Sequence, residues 1–110
     1  MDSSRVVLSL GSNRGACVKI LLGAIERLSK GLDSVSISRI YISDPLYVRD
    51  QDVFYNMAIR GFWKDSPEAL LEFCNRIEKD FGRDREQEQR RGARSLDIDI
   101  LLFGELVLDS

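Results

Sequence analysis

Residues 95–103 read SLDIDILLF, with aliphatic side chains and acids alternating along the run. A period of two marks a strand, because successive side chains leave its opposite faces. Leu96, Ile98, Ile100 and Leu102 are therefore expected on one face, as core, with Asp97 and Asp99 on the other. The two acids stand about 7 Å apart at their backbones. Ionised carboxylates that close repel each other unless a cation joins them. Hard oxygen donors with no imidazole or thiolate beside them suit magnesium. The alternative is a pair of solvated acids on an exposed sheet face, and spacing alone leaves both readings open.

The rest of the chain supplies partners for that strand. Residues 5–10 (RVVLSL) are β-rich and end at the glycine-bounded turn GSNRG, residues 11–15. Over residues 16–30 Cys17, Leu21, Ala24, Ile25 and Leu28 recur at helical spacing, and Gly31 is placed as a C-terminal stop. Residues 34–42 (SVSISRIYI) alternate as one strand, with Val35, Ile37 and Tyr41 on a common face. Asp44-Pro45 opens a polar loop, and residues 53–63 (VFYNMAIRGFW) alternate again. Ser66-Pro67 starts a second helix with proline at its first position. Leu70, Cys74, Ile77 and Phe81 carry that helix to Gly82. Residues 83–94 are charged and aperiodic, hence a loop, and after Gly104-Glu105 a short strand returns as a hairpin. The order β-α-β-β-α-β predicts an α+β, ferredoxin-like sandwich: helices packed on a mostly antiparallel sheet.

At 110 residues the chain is one domain, residues 1–110, with one core. A net charge of −2 gives no broad positive field for nucleic acid. With no histidine, imidazole catalysis is excluded. Cys17 and Cys74 sit in apolar patterns and read as buried thiols. No stretch is long and apolar enough for a membrane, and the start has no signal-peptide architecture, so a cytoplasmic setting is expected.

The loop before the acid strand, GRDREQEQRRGAR, holds Arg83, Arg85, Arg90, Arg91 and Arg94. Arginine forks recognise phosphate oxygens, so an acid pair directly downstream suits a polyphosphate. Neutralisation by Asp84, Glu86 and Glu88 would explain the loop's composition but not its position. The GSNRG turn matches no established phosphate motif and reads better as a tight connection. Phe54 and Asn56 share a strand face and could stack on and hydrogen-bond a flat heterocycle, but by themselves they read better as ordinary core and a satisfied polar residue. Asn75 and Glu78 are three apart on a helix, the spacing of an ordinary wet face.

Taken together, LGSNRG, FYN and IEKDFGRDR…GARSLDIDILLFG resemble the 6-hydroxymethyl-7,8-dihydropterin pyrophosphokinase (HPPK) family along nearly the whole chain. The resemblance implies transfer of pyrophosphate from ATP to the pterin hydroxymethyl group in folate biosynthesis, with release of AMP. It implies that Asp97 and Asp99 hold two magnesium ions bridging the ATP phosphates. Arg83 and Arg94 would contact the triphosphate, and Arg85 matches a third arginine of a catalytic loop. Ser43, Leu46, Phe54 and Asn56 would line the pterin, while Asn75, Glu78 and Ile100 would lie on the ATP side. The chain departs from the family in three places. It stops at Ser110, before a segment that carries a histidine and an arginine for ATP and an aromatic over the pterin. Arg91 stands where an aromatic is usual, and the preceding loop is one residue longer. The alternative is a weakly active or inactive short relative that binds nucleotide or pterin, or that associates with itself through an uncovered sheet edge.

Overall fold

The computed structural model describes residues 3–43, 53–82 and 95–107. Its elements are β1 (Ser4–Ser12), α1 (Cys17–Gly31), β2 (Asp33–Ile37), β3 (Tyr41–Ser43), β4 (Phe54–Trp63), α2 (Pro67–Asp80), β5 (Asp97–Phe103) and β6 (Leu106–Val107). The sheet runs β2-β4-β1-β5-β6, with β3 also on β4, and every recorded pairing is antiparallel. Because β2 and β1 both oppose β4, they run parallel to each other across α1. By the same argument β4 and β5 run parallel across α2. These are two interleaved β-α-β units, the ferredoxin-like arrangement that the element order predicts.

Alternation puts Val6, Leu8 and Leu10 of β1 against Met57 and Ile59 of β4 and Ile98 of β5 on one sheet face. Leu21, Ala24, Ile25 and Leu28 of α1 and Leu70, Cys74 and Ile77 of α2 cover that face and complete a single core. The helices start and stop as their sequences require. Ser66 Oγ accepts from the Ala69 N–H at 3.1 Å with Pro67 following. Gly82, at φ 85°, ends α2 in a left-handed turn closed by its N–H on the Lys79 carbonyl. Gly31 is the last residue of α1, where the stop was expected, and it also makes room for α2: a Cβ there would come within 2.7 Å of the Phe73 ring, which stacks on Trp63 at 5.4 Å.

Three expectations change. β1 continues through Gly11 and Ser12, so only the second half of GSNRG is turn. Residues 34–42 form two strands rather than one, each step gaining a residue relative to β4: Asp33 opposes Phe62, Ser36 opposes Arg60, and Tyr41 opposes Asn56. At the first step Ser34 takes φ 52°. At the second, the Ser38 hydroxyl replaces its own carbonyl as acceptor of the Ala58 N–H, at 2.8 Å, and the backbone leaves the ladder. Val35 and Ile40 therefore pack on the core, while Ile37 and Tyr41 are more than half exposed. In β5 the register slips once between Ile100 and Leu102, so Leu101 has no opposite residue. Phe103 thereby enters the core, and Leu102, expected there, pairs with Val7 on the opposite face.

Both cysteines are free, Cys17 part-exposed and Cys74 buried. Burial first, and the nearby Glu78 charge second, push the Cys74 thiol from 9.0 to about 12. The folded state holds this proton more tightly than the unfolded chain. The associated stability is complete below pH 9.0 and is lost as pH climbs towards about 12. In the native chain at pH 8, Ellman's reagent should titrate Cys17 within minutes and reach Cys74 only after denaturant. Equal rates for the two thiols would contradict its burial.

Candidate functional site

The second sheet face is covered by neither helix. β1 presents Val7, Ser9 and Gly11 there, β4 presents Phe54, Asn56, Ala58 and Arg60, and β5 presents Asp97, Asp99 and Leu102. Register sets the rows. Gly11 lies opposite Asn56 on one side and Asp97 on the other, and Ser9 lies between Ala58 and Asp99. With strands spaced about 4.8 Å apart, the Asn56 and Asp97 backbones are separated by about 10 Å, with no side chain on the residue between.

β3 adds the third wall. Ser43 opposes Phe54, and the Asn56 Nδ2 donates to Ser43 Oγ at 2.9 Å and to the Phe54 carbonyl at 3.3 Å. Phe54 is partly buried but lies on the open face, outside the core in which the sequence alone placed it. Ser43, Phe54 and Asn56 are thus brought together on one side of Gly11, with Asp97 and Asp99 on the other. Both acids are partly buried.

The ATP-side residues fall elsewhere. Asn75 is exposed on α2. Glu78 does not sit on a wet helix face: it is 3% exposed, and its Oε2 accepts the Ile98 N–H at 2.7 Å. Ile100 opposes Leu8 and packs its side chain against the core. Leu46, Arg83, Arg85, Arg90, Arg91 and Arg94 lie outside the described residues.

Among the described residues no three or more His, Cys, Asp or Glu side chains gather to hold an ion. Magnesium is ordinarily bound through one or two carboxylates, completed by substrate phosphates and water. The Asp97–Asp99 pair, hard donors on one open face, fits that ion.

The sequence pattern did not single out Gly11 as lining this face. The available signal was a glycine at the end of a strand pattern, which marks close approach of another group. A Cβ on Gly11 would lie 3.4 Å from Asn56 Oδ1 and 3.8 Å from the Phe54 ring.

Comparison with known proteins places these residues in context. Residues 7–109 match the family 7,8-dihydro-6-hydroxymethylpterin-pyrophosphokinase (HPPK). A 2-amino-4-hydroxy-6-hydroxymethyldihydropteridine pyrophosphokinase of Pseudomonas aeruginosa is 42% identical over 108 residues, covering 96% of this chain and 65% of the relative. The protein of the same name from Methylorubrum extorquens is 40% identical over 102 residues, covering 91% of this chain and 63% of the relative. The folic acid synthesis protein fol1 of Pneumocystis carinii is 38% identical over 111 residues, covering 100% of this chain and 15% of its own length. The chain therefore spans less than two thirds of each of these relatives.

Proposed function

Since the chain belongs to the 7,8-dihydro-6-hydroxymethylpterin-pyrophosphokinase family, we propose that it transfers pyrophosphate from ATP to the hydroxymethyl group of 6-hydroxymethyl-7,8-dihydropterin. The observation that carries this reading is the common open face. An aromatic, an amide and a hydroxyl stand on one side of Gly11, and two carboxylates stand on the other.

Phe54 offers a ring for the pterin to stack on, and the Asn56 amide oxygen offers an acceptor to its edge, both Nδ2 hydrogens being taken by Ser43 Oγ and the Phe54 carbonyl. Asn56 already donates to Ser43 Oγ, which holds the amide plane for that task. A flat ring lying over Gly11 would direct its hydroxymethyl arm towards β5. There Asp97 and Asp99 would hold two magnesium ions, with Arg83, Arg85 and Arg94 on the triphosphate. In the reaction the pterin hydroxyl oxygen bonds to the β-phosphorus of ATP. The bond from that phosphorus to the α,β-bridging oxygen breaks, AMP departs, and the hydroxyl proton is released. Asp97, in the same row as Asn56, is the carboxylate on the pterin side. Phosphoryl transfer needs alignment and charge more than covalent help, and this chain's residues supply the alignment. When bound, magnesium supplies positive charge against the phosphate oxygens. Asn75, Glu78 and Ile100 belong on the ATP side in this reading. A cytoplasmic setting and self-association through the outer edge, where Ile37, Tyr41 and Ile42 are more than half exposed, complete it.

The direct test is AMP formation by residues 1–110 from ATP, magnesium and the pterin. AMP that depends on the pterin is the expected result; a folded chain that makes none removes the assignment. Gly11→Val adds a specific check. Its branched side chain would enter the space between Phe54 and Asn56, so the KM for pterin should rise about tenfold or more, equivalent to about 1.4 kcal/mol, with the KM for ATP little changed. A parallel rise in both constants would argue that Gly11 does not floor the pterin pocket.

A further inference from the structure

Two buried side chains bond to the backbone on either side of Asp97. From the end of β1, Ser12 Oγ donates to the Ser95 carbonyl at 2.5 Å. From α2, Glu78 Oε2 accepts the Ile98 N–H at 2.7 Å. Ser12 is fully buried and Glu78 is 3% exposed. Both bonds stand where strand pairing leaves off. The β1–β5 ladder ends at the Gly11–Asp97 pair, and Ser12 continues the link with its side chain. On the outer edge of β5, β6 pairs only with Leu102 and Phe103, and Glu78 takes up the Ile98 N–H instead.

Glu78 is the feature that calls for an explanation. It occupies a buried position of α2 beside Cys74 and Ile77, where an aliphatic residue would pack without desolvating a charge. A carboxylate there gains little for the core. It does fix one backbone N–H of the strand that carries the acids, at the residue directly after Asp97. Magnesium tolerates little departure from octahedral geometry at about 2.0–2.1 Å, so the direction in which the acids leave the strand matters to a few tenths of an ångström.

We propose that Ser12 and Glu78 are positioning residues. They clamp residues 95–98 from β1 and from α2 and so aim Asp97, and through it the pair, at the ion. The proposal rests on the reading of Asp97 and Asp99 as magnesium-holding acids. It gives Glu78 a role exerted through β5, where the family resemblance suggests only nearness to adenosine. The simpler alternative is a plain edge cover that contributes stability alone.

The test uses the full 110-residue chain with Glu78→Ala, Glu78→Gln and Ser12→Ala. Glutamine keeps an oxygen that can accept the Ile98 N–H; alanine does not. The readouts are the magnesium concentration for half-maximal AMP formation and the affinity for pterin alone. Removing a group that orients a metal ligand ordinarily costs about 10–100-fold in metal affinity. Glu78→Ala and Ser12→Ala should therefore raise the magnesium requirement by about tenfold or more, leave pterin affinity unmoved, and be rescued at position 78 by glutamine. A lower melting temperature with an unchanged magnesium requirement overturns the proposal. If Glu78→Ala fails to fold, Ser12→Ala carries the same comparison, since it removes one hydroxyl. A wild-type chain that makes no AMP removes the assigned function instead, and the clamp is then judged on magnesium affinity measured by calorimetry with ATP present. A loss of affinity in Glu78→Ala that Glu78→Gln restores upholds it, and equal affinity in all three proteins overturns it.

Discussion

Replacing either Asp97 or Asp99 by alanine should lower pterin-dependent AMP formation by about a hundredfold to ten-thousandfold while leaving the fold intact. The two halves of this expectation have separate causes. Both residues lie on the sheet face that α1 and α2 do not cover, opposite Gly11 and Ser9. Truncating them removes no core packing, and β5 keeps its backbone pairing. The proposed chemistry, by contrast, would gather several negative oxygens of ATP at one place, and each tenfold in rate is about 1.4 kcal/mol of barrier. Losing an ion that offsets those charges costs several kcal/mol. Asp97→Asn and Asp99→Asn sharpen the test, since they keep shape and hydrogen-bonding capacity but remove charge. If the loss is electrostatic, the asparagine variants should fail nearly as badly as the alanine variants at saturating magnesium. Near-normal turnover in either alanine variant would remove that residue from the proposed metal site.

The second large effect concerns stability, and it separates the tertiary structure from the sequence pattern. Phe103→Ala should cost about 3 kcal/mol, whereas Leu102→Ala should cost less than about 1 kcal/mol. Strict alternation along β5 predicts the reverse order, because it places Leu102 with Leu96, Ile98 and Ile100 in the core. In the structure Leu8 opposes Ile100 but Val7 opposes Leu102, so one extra residue is accommodated at Leu101. That slip turns Phe103, 8% exposed, inward against Val6 and leaves Leu102 partly exposed on the other face. For a domain of this size each kcal/mol corresponds to several degrees of melting temperature. Phe103→Ala should therefore melt on the order of 10 °C or more below wild type, and Leu102→Ala within a few degrees of it. Thermal or urea unfolding decides the matter, and a larger loss for Leu102→Ala would mean that the slip is absent.

These cases mark the boundary of what could be read in advance. Ser66-Pro67 announced the start of α2, and the hydroxyl does cap Ala69. The apolar spacing of α1 named Leu21, Ala24, Ile25 and Leu28, all of them buried. Asp97 and Asp99 were assigned correctly to the face opposite Leu96 and Ile98. The failures share one form. Residues 34–42 were read as a single strand, Leu102 as core and Glu78 as part of a wet helix face. Each was inferred from local periodicity or a local signal. Each is overturned by something distant in the chain: β4 for residues 34–42, β1 for Leu102 and Ile98 for Glu78.

What the sequence determined by itself was therefore local and chemical. Side-chain periods chose the helices and strands, their order implied the interleaved β-α-β units, and the residue types in LDID and FYN supplied the candidate groups for the proposed cation and heterocycle. Only the tertiary structure decided that Asn56, Gly11 and Asp97 form one row across three strands, and that Ser12 and Glu78 hold the acid strand from both sides. The physical reason is register. A shift of one residue between paired strands reverses every side chain beyond it, and that shift is set by hydrogen bonds between segments tens of residues apart, such as the bond from Ser12 to Ser95, which no periodicity within either segment records.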